Sequence, residues 1–147
     1  MMKNFKYLLL MAMVMTMSLT MSADDDDRVI TYQQLPQAAQ TFLKKNFAKK
    51  VPLVVTADWD DFTIVYESGE RVEFDRNGNW KDIECRASKV PVDLIPGQIT
   101  AYLNKNYPGK SVVKLERRRM GYEVRINNGM EIEFNRNFQV IDVDYAD

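Results

Sequence analysis

Glu73, Asp82 and Glu84 are the residues of this chain whose type and spacing come nearest to chemistry. Placed on adjacent strands of one sheet face, they would resemble the paired acids of glycoside hydrolysis. That chemistry needs an enclosed cleft to raise one carboxyl pKa. The surrounding sequence reads as open strand, so no catalytic set is expected. Asp58-x-Asp60-Asp61 has the residue types for a cation, but acids at a turn more often form the turn itself. The run Asp24–Asp27 lacks the spaced ligands of a calcium loop and reads as a solvated leader. Arg117-Arg118-Arg119 reads as a charged hairpin tip, with contact to an acidic partner as the alternative. Lys44, Lys45, Lys49 and Lys50 suit the C-terminal end of a helix, with an anion patch as the alternative. Cys85 is the single cysteine, which excludes an intramolecular disulfide, and it reads as a small core residue. The chain has no histidine, which removes imidazole acid–base chemistry and the usual His-containing zinc sites. No cofactor and no metal are expected.

These side chains have to be positioned by elements, and the elements begin after an export signal. Lys3 and Lys6 precede an apolar run from Leu8 to Met15, and the small residues Ser22 and Ala23 precede Asp24. That order is a secretory signal peptide over residues 1–23, with cleavage after Ala23, or after Ser22 as second choice. The run is too short for a comfortable membrane span of ~20 residues, so no membrane span is expected after cleavage. Loss of Lys3 and Lys6 lowers Lys+Arg from 20 to 18 against 21 acids, a net charge of −3. Phosphate binding needs a basic footprint, so nucleic acid is not the expected partner.

From Leu35 the chain changes period. Leu35, Ala38, Ala39, Phe42, Leu43 and Phe47 recur at helical spacing behind Pro36. Four strands are expected next, over Val51–Ala57, Phe62–Glu67, Glu70–Asp75 and Asn79–Cys85. Ser68-Gly69 reads as a two-residue hairpin, and Asn77-Gly78 is the strongest short hairpin signal. Strict alternation puts Phe62, Ile64, Tyr66, Val72, Phe74 and Ile83 inward, with Ile132 and Phe134 in the later strands, and Trp80, Asp82, Glu84 and Val140 outward. Sixty residues later the pattern returns. Pro96 opens a helix, and strands are expected near Ser111–Arg117, Tyr122–Asn127, Met130–Asn135 and Gln139–Tyr145. At this offset Pro36 aligns with Pro96, Leu43 with Leu103, Gly69 with Gly129, Glu73-Phe74 with Glu133-Phe134, and Arg76-Asn77 with Arg136-Asn137, without a gap. Phe138 stands where the first copy has Gly78, so that turn is expected to differ in type or gain a residue.

The segment Tyr66-Glu-Ser-Gly-Glu-Arg-Val-Glu-Phe-Asp-Arg-Asn-Gly-Asn-Trp80, with Leu35-Pro36 before it, resembles the β-lactamase-inhibitor-like, PepSY-like secreted proteins common in Bacteroidetes. Ile95-Pro96, Asn106-Tyr107-Pro108-Gly109, Asn128-Gly129 and Glu133-Phe134 carry the same likeness. The resemblance implies a periplasmic or secreted protein and brings no catalytic residues.

The expected fold class is therefore α+β, a tandem repeat of a helix plus a four-stranded antiparallel sheet, similar to β-lactamase inhibitor protein. Residues 24–28 form the acidic leader, 29–87 the first repeat and 88–147 the second, sharing one sheet or packed side by side. The open sheet face carries the expected contact residues: Trp80 as the aromatic anchor, with Val65, Glu73, Asp82, Arg125 and Glu133. The function read from this is an exported, non-enzymatic module that binds a periplasmic or extracellular protein, or inhibits one. The alternative is a periplasmic sensor of a small ligand or cation.

Overall fold

The computed structural model describes residues 27–145. The expected signal peptide and all but the last two residues of the leader lie outside that range. Nine strands form one sheet: β1 (Arg28–Ile30), β2 (Pro52–Ala57), β3 (Asp61–Tyr66), β4 (Arg71–Asp75), β5 (Trp80–Glu84), β6 (Val112–Arg118), β7 (Gly121–Ile126), β8 (Met130–Asn135) and β9 (Val140–Tyr145). Each strand pairs antiparallel with its neighbour in sequence, in the order β1 to β9. Two ten-residue helices, α1 (Gln37–Asn46) and α2 (Gly97–Asn106), lie against one face.

The expected α+β tandem of helix-plus-four-strand units is corrected by this arrangement. The chain is mostly β, a single nine-stranded antiparallel sheet with only two α-helices among the described residues. The strand count and the small share of helix overturn the α+β class, whereas one shared sheet was among the two arrangements expected. Asp82, Ile83 and Glu84 of β5 pair directly with Glu116, Leu115 and Lys114 of β6, so hydrogen bonding runs on across the polar Arg86–Lys89 link. Residues 28–30, read as the end of a leader and the approach to a helix, form a strand against Val55–Ala57.

The sheet's register explains its core. One apolar row crosses every strand: Ile30, Val55, Ile64, Val72, Ile83, Leu115, Val124, Ile132 and Val143. From Val55 to Ile132 the row is buried. The helices lay Ala39, Leu43, Ile99 and Leu103 on this side. Phe42 meets the edge of Phe74 at 5.7 Å between ring centres, and Tyr102 meets Phe134 in the same way at 5.4 Å. Such aromatic pairs add ~1 kcal/mol each beyond the area they bury. Pro36 and Pro96 each stand immediately before a helix, where the missing N–H costs nothing.

The short hairpin expected at Asn77-Gly78 is present. Gly78 N–H donates to the Asp75 carbonyl and Asp75 N–H to the Asn79 carbonyl, which closes a three-residue loop with Gly78 at φ 84°. The expectation that Phe138 changes its turn is corrected. Phe138 N–H donates to Asn135 and Asn135 N–H to Gln139, so the loop is the same, and Phe138 takes φ 60°. Its ring stacks on Tyr122 at 5.8 Å.

Candidate functional site

The side of the sheet away from the helices is a charged surface, and its register makes two rows. One runs Thr63, Glu73, Asp82, Glu116, Glu123, Glu133 and Asp142 across β3 to β9. The other runs Val65, Arg71, Glu84, Lys114, Arg125, Glu131 and Asp144. Five of the six expected contact residues therefore share this face: Val65, Glu73, Asp82, Arg125 and Glu133. Val65 also lines a shallow cleft of about 350 Å³ with Gly69, Arg71, Glu84, Arg86 and Ala87.

Trp80 does not share it. It pairs with the buried Phe74 and packs near Phe42 on the helix side. The cause is a β-bulge. The register slips between Glu73 and Phe74, so Lys81 and Asp82 together oppose one residue of β4. An extra residue breaks the period of two, and side chains before it change faces. The same slip between Glu133 and Phe134 sends Val140 to the helix side, against its expected outward position. Trp80 is nonetheless engaged, since the Arg117 guanidinium lies 4.0 Å from its ring centre.

Cations bridge the acidic row. Lys81 Nζ reaches Asp61 at 2.7 Å and Glu73 at 3.6 Å. Lys114 Nζ lies 3.8 Å from both Asp82 and Glu116. Arg118 contacts Glu116, Glu123 and Glu133. Arg125 pairs with Glu131 at 2.7 Å. Of these cations, sequence reading placed Arg125 on the face, had Arg118 only within a charged hairpin tip, and missed Lys81 and Lys114. The alternation Lys114, Glu116, Arg118 on β6 was a usable signal for Lys114 and Arg118. Lys81 was hidden by the bulge, which strict alternation cannot anticipate.

Asp82 is the exception within this network. Its Oδ1 is buried with no hydrogen-bond partner among the described residues. Burial, then the charges of Glu116 and Glu73, outweigh Lys114 and Arg71 and push its pKa up to about 6. The carboxyl is thus raised on a sheet surface, without an enclosed cleft. Glu84 goes the other way. Burial raises it, but the Arg86 hydrogen bond with the charges of Arg86, Lys114 and Arg125 holds it below the ordinary glutamate value.

The remaining candidates have local roles. Asp58 Oδ1 accepts the backbone N–H groups of Asp60 and Asp61, so that cluster forms its own turn. Cys85 is buried, and burial pushes its thiol up to about 11. Lys50, assigned to a helix end, instead reaches Glu70 at 2.9 Å. Glu70 is 2% exposed and also accepts hydrogen bonds from Ser68 at 2.5 Å and Ser88 at 3.2 Å. Its burial works against ionisation, but the Ser68 and Lys50 hydrogen bonds dominate and bring its pKa down to about 2. No group of three metal-ligating side chains converges among the described residues. No described helix is long and apolar enough to cross a membrane.

Comparison with known proteins adds the following. Residues 60–142 match the family model described as "Putative beta-lactamase-inhibitor-like, PepSY-like". A "putative periplasmic protein" of the DUF2874 family from Bacteroides vulgatus is 40% identical, with a TM-score of 0.78, over 82% of this chain and 98% of that one. A "putative calcium-regulated periplasmic protein" from Bacteroides thetaiotaomicron is 37% identical, with a TM-score of 0.79 and the same coverage. A second Bacteroides vulgatus "putative periplasmic protein of unknown function" is 30% identical, with a TM-score of 0.76, over 80% and 98%. No curated protein matches the chain.

Proposed function

The chain belongs to the β-lactamase-inhibitor-like, PepSY-like family, and on that premise we propose that it is an exported, non-enzymatic module that binds a protein through the open face of its sheet. The solved relatives are described as periplasmic, which supports a periplasmic location after cleavage near Ala23. The contact set is Val65, Glu73, Asp82, Arg125 and Glu133, without Trp80.

Asp82 carries this reading. A carboxyl at the middle of the face keeps one oxygen unpaired, between Glu73 and Glu116, at a cost in stability. Groups held in an unfavourable state mark sites where something other than folding sets the residue. A partner presenting Lys or Arg would supply the missing donors and find carboxylates on either side. The cleanest test immobilises the mature chain as wild type and as Asp82→Asn/Glu133→Lys, then compares proteins retained from a periplasmic extract. Loss of a retained protein from the variant is expected. Equal recovery of every protein would overturn the assigned face.

A second reading, a cation sensor, draws on the same row of carboxylates and on the relative described as calcium-regulated. Calcium takes six to eight oxygen ligands, whereas these acids are spread along a row and bridged by Lys81, Lys114 and Arg118. Calorimetry with calcium separates the two. Heat in the wild type that vanishes in Asp82→Asn would favour the sensor.

A further inference from the structure

We propose that the outer edge of β9 accepts an extended strand of a partner protein that alternates apolar and basic residues. The argument starts from two strands in equivalent settings. Ile83 and Glu84 of β5 lie opposite Val72 and Arg71, and Val143 and Asp144 of β9, sixty residues on, lie opposite Ile132 and Glu131. On its other side β5 is paired by β6, with Leu115 against Ile83 and Lys114 against Glu84. Ile83 and Cys85 are then 0% and 1% exposed. The corresponding Val143 and Tyr145 are 41% and 66% exposed, with Ile141 at 55%. Among the described residues nothing pairs with the outer side of β9. The edge thus combines unpaired backbone groups with an apolar strip, the two requirements for strand addition.

Charge and length decide the occupant. The segment Gln139–Asp147 carries Asp142, Asp144 and Asp147 and no basic residue. Pairing with β9 of a second copy would set these acids against one another, which is destabilising. β1 of a second copy offers only the three residues Arg28–Ile30 to the six of Val140–Tyr145, too short a strand to cover the edge. In the register of β5 with β6, a strand patterned like β6 would set Leu115 toward Val143 and Lys114 toward Asp144, and its Glu116 position, opposite Asp142, calls for a basic residue in the partner. The edge adjoins the open face, since Asp142 lies opposite Glu133, but it includes none of the contact set and does not depend on it.

The chain itself supplies the probe, a synthetic peptide with the sequence Ser111–Arg118 of the β6 segment carrying Glu116→Lys. Titration calorimetry against the mature chain should show binding, with new amide-exchange protection confined to β9. The variant Val143→Lys/Tyr145→Lys, altered only at exposed positions, should weaken it at least ~10-fold. A peptide with its Lys and Arg changed to Glu should fail on wild type and bind Asp142→Lys/Asp144→Lys. Asp82→Asn should leave the wild-type affinity unchanged, which separates this edge from the open face. No binding of the β6 peptide at ~1 mM, binding indifferent to the β9 variants, or self-association of the chain that excludes the peptide would each overturn the proposal.

Discussion

Asp82 and Glu70 are both carboxyls in crowded surroundings, and they respond to burial in opposite ways. Glu70 has three donors and ionises more readily than a free glutamate. Its pKa is lowered in the folded chain, so its contribution is present above the unfolded value near 4.3 and is lost as pH falls toward 2. Glu70→Gln should cost ~2 kcal/mol at pH 7 and flatten the acid limb of a urea-denaturation series. Asp82 is raised, so the sign reverses. Below pH ~4 the carboxyl is protonated in both states and costs nothing, and the penalty grows as pH rises through about 6. Asp82→Asn should therefore leave stability unchanged at pH 4 and raise it by roughly 2 kcal/mol at pH 7.5. Urea midpoints at the two pH values check this, and equal shifts at both would contradict the raised pKa. Neither environment was legible in the sequence. Glu70 gathers Lys50 and Ser88 from distant segments, and Asp82, outward by alternation alone, is crowded by Glu73 and Glu116 from the two neighbouring strands.

At the level of elements, the sequence showed most of the strands and both helices, because alternation and helical spacing are local signals. It placed Val72, Phe74, Ile132 and Phe134 inward, where they are buried. It missed β1, which has only three residues and takes its identity from pairing with β2. It misplaced Trp80 and Val140 because a bulge shifts the phase by one and leaves no mark on composition. The two β-hairpin loops at Gly78 and Phe138 share one backbone and differ in what surrounds them. A Cβ on Gly78 would come within 2.9 Å of Ala39 N and Pro36 Cβ, where the start of α1 sits on the loop. Gly78→Ala should cost ~2 kcal/mol, strain and clash together. Phe138→Gly relieves a left-handed residue worth ~1 kcal/mol and gives up a stacked pair worth ~1 kcal/mol, so stability should change by less than ~1 kcal/mol. Thermal melts of both variants check the asymmetry.

At the level of the whole molecule, the β5–β6 pairing matters most. Leu115 lies opposite Ile83 and both are fully buried, so separating the chain near residue 87 would expose a core row along its length. The chain should unfold in one cooperative transition, with calorimetric and van't Hoff enthalpies equal. Two resolved transitions would show halves that stand alone. The sequence left a shared sheet and two packed units both open, since a sixty-residue likeness is compatible with either. Only the register across the Arg86–Lys89 link distinguishes them.

The nearest-neighbour order of the strands also bears on how the molecule is made. A chain delivered N-terminus first, from a ribosome or through an export channel, can pair each strand with the one that has just arrived. Each strand pairs with the next one in sequence, and a helix is interposed between paired strands at two places, α1 between β1 and β2 and α2 between β5 and β6. Folding can advance as a front that follows synthesis, with little time for an exposed edge to find the wrong neighbour. Of the described strands β9 is the last that such a front reaches, and like β1 at the opposite edge it keeps its far side unpaired among them.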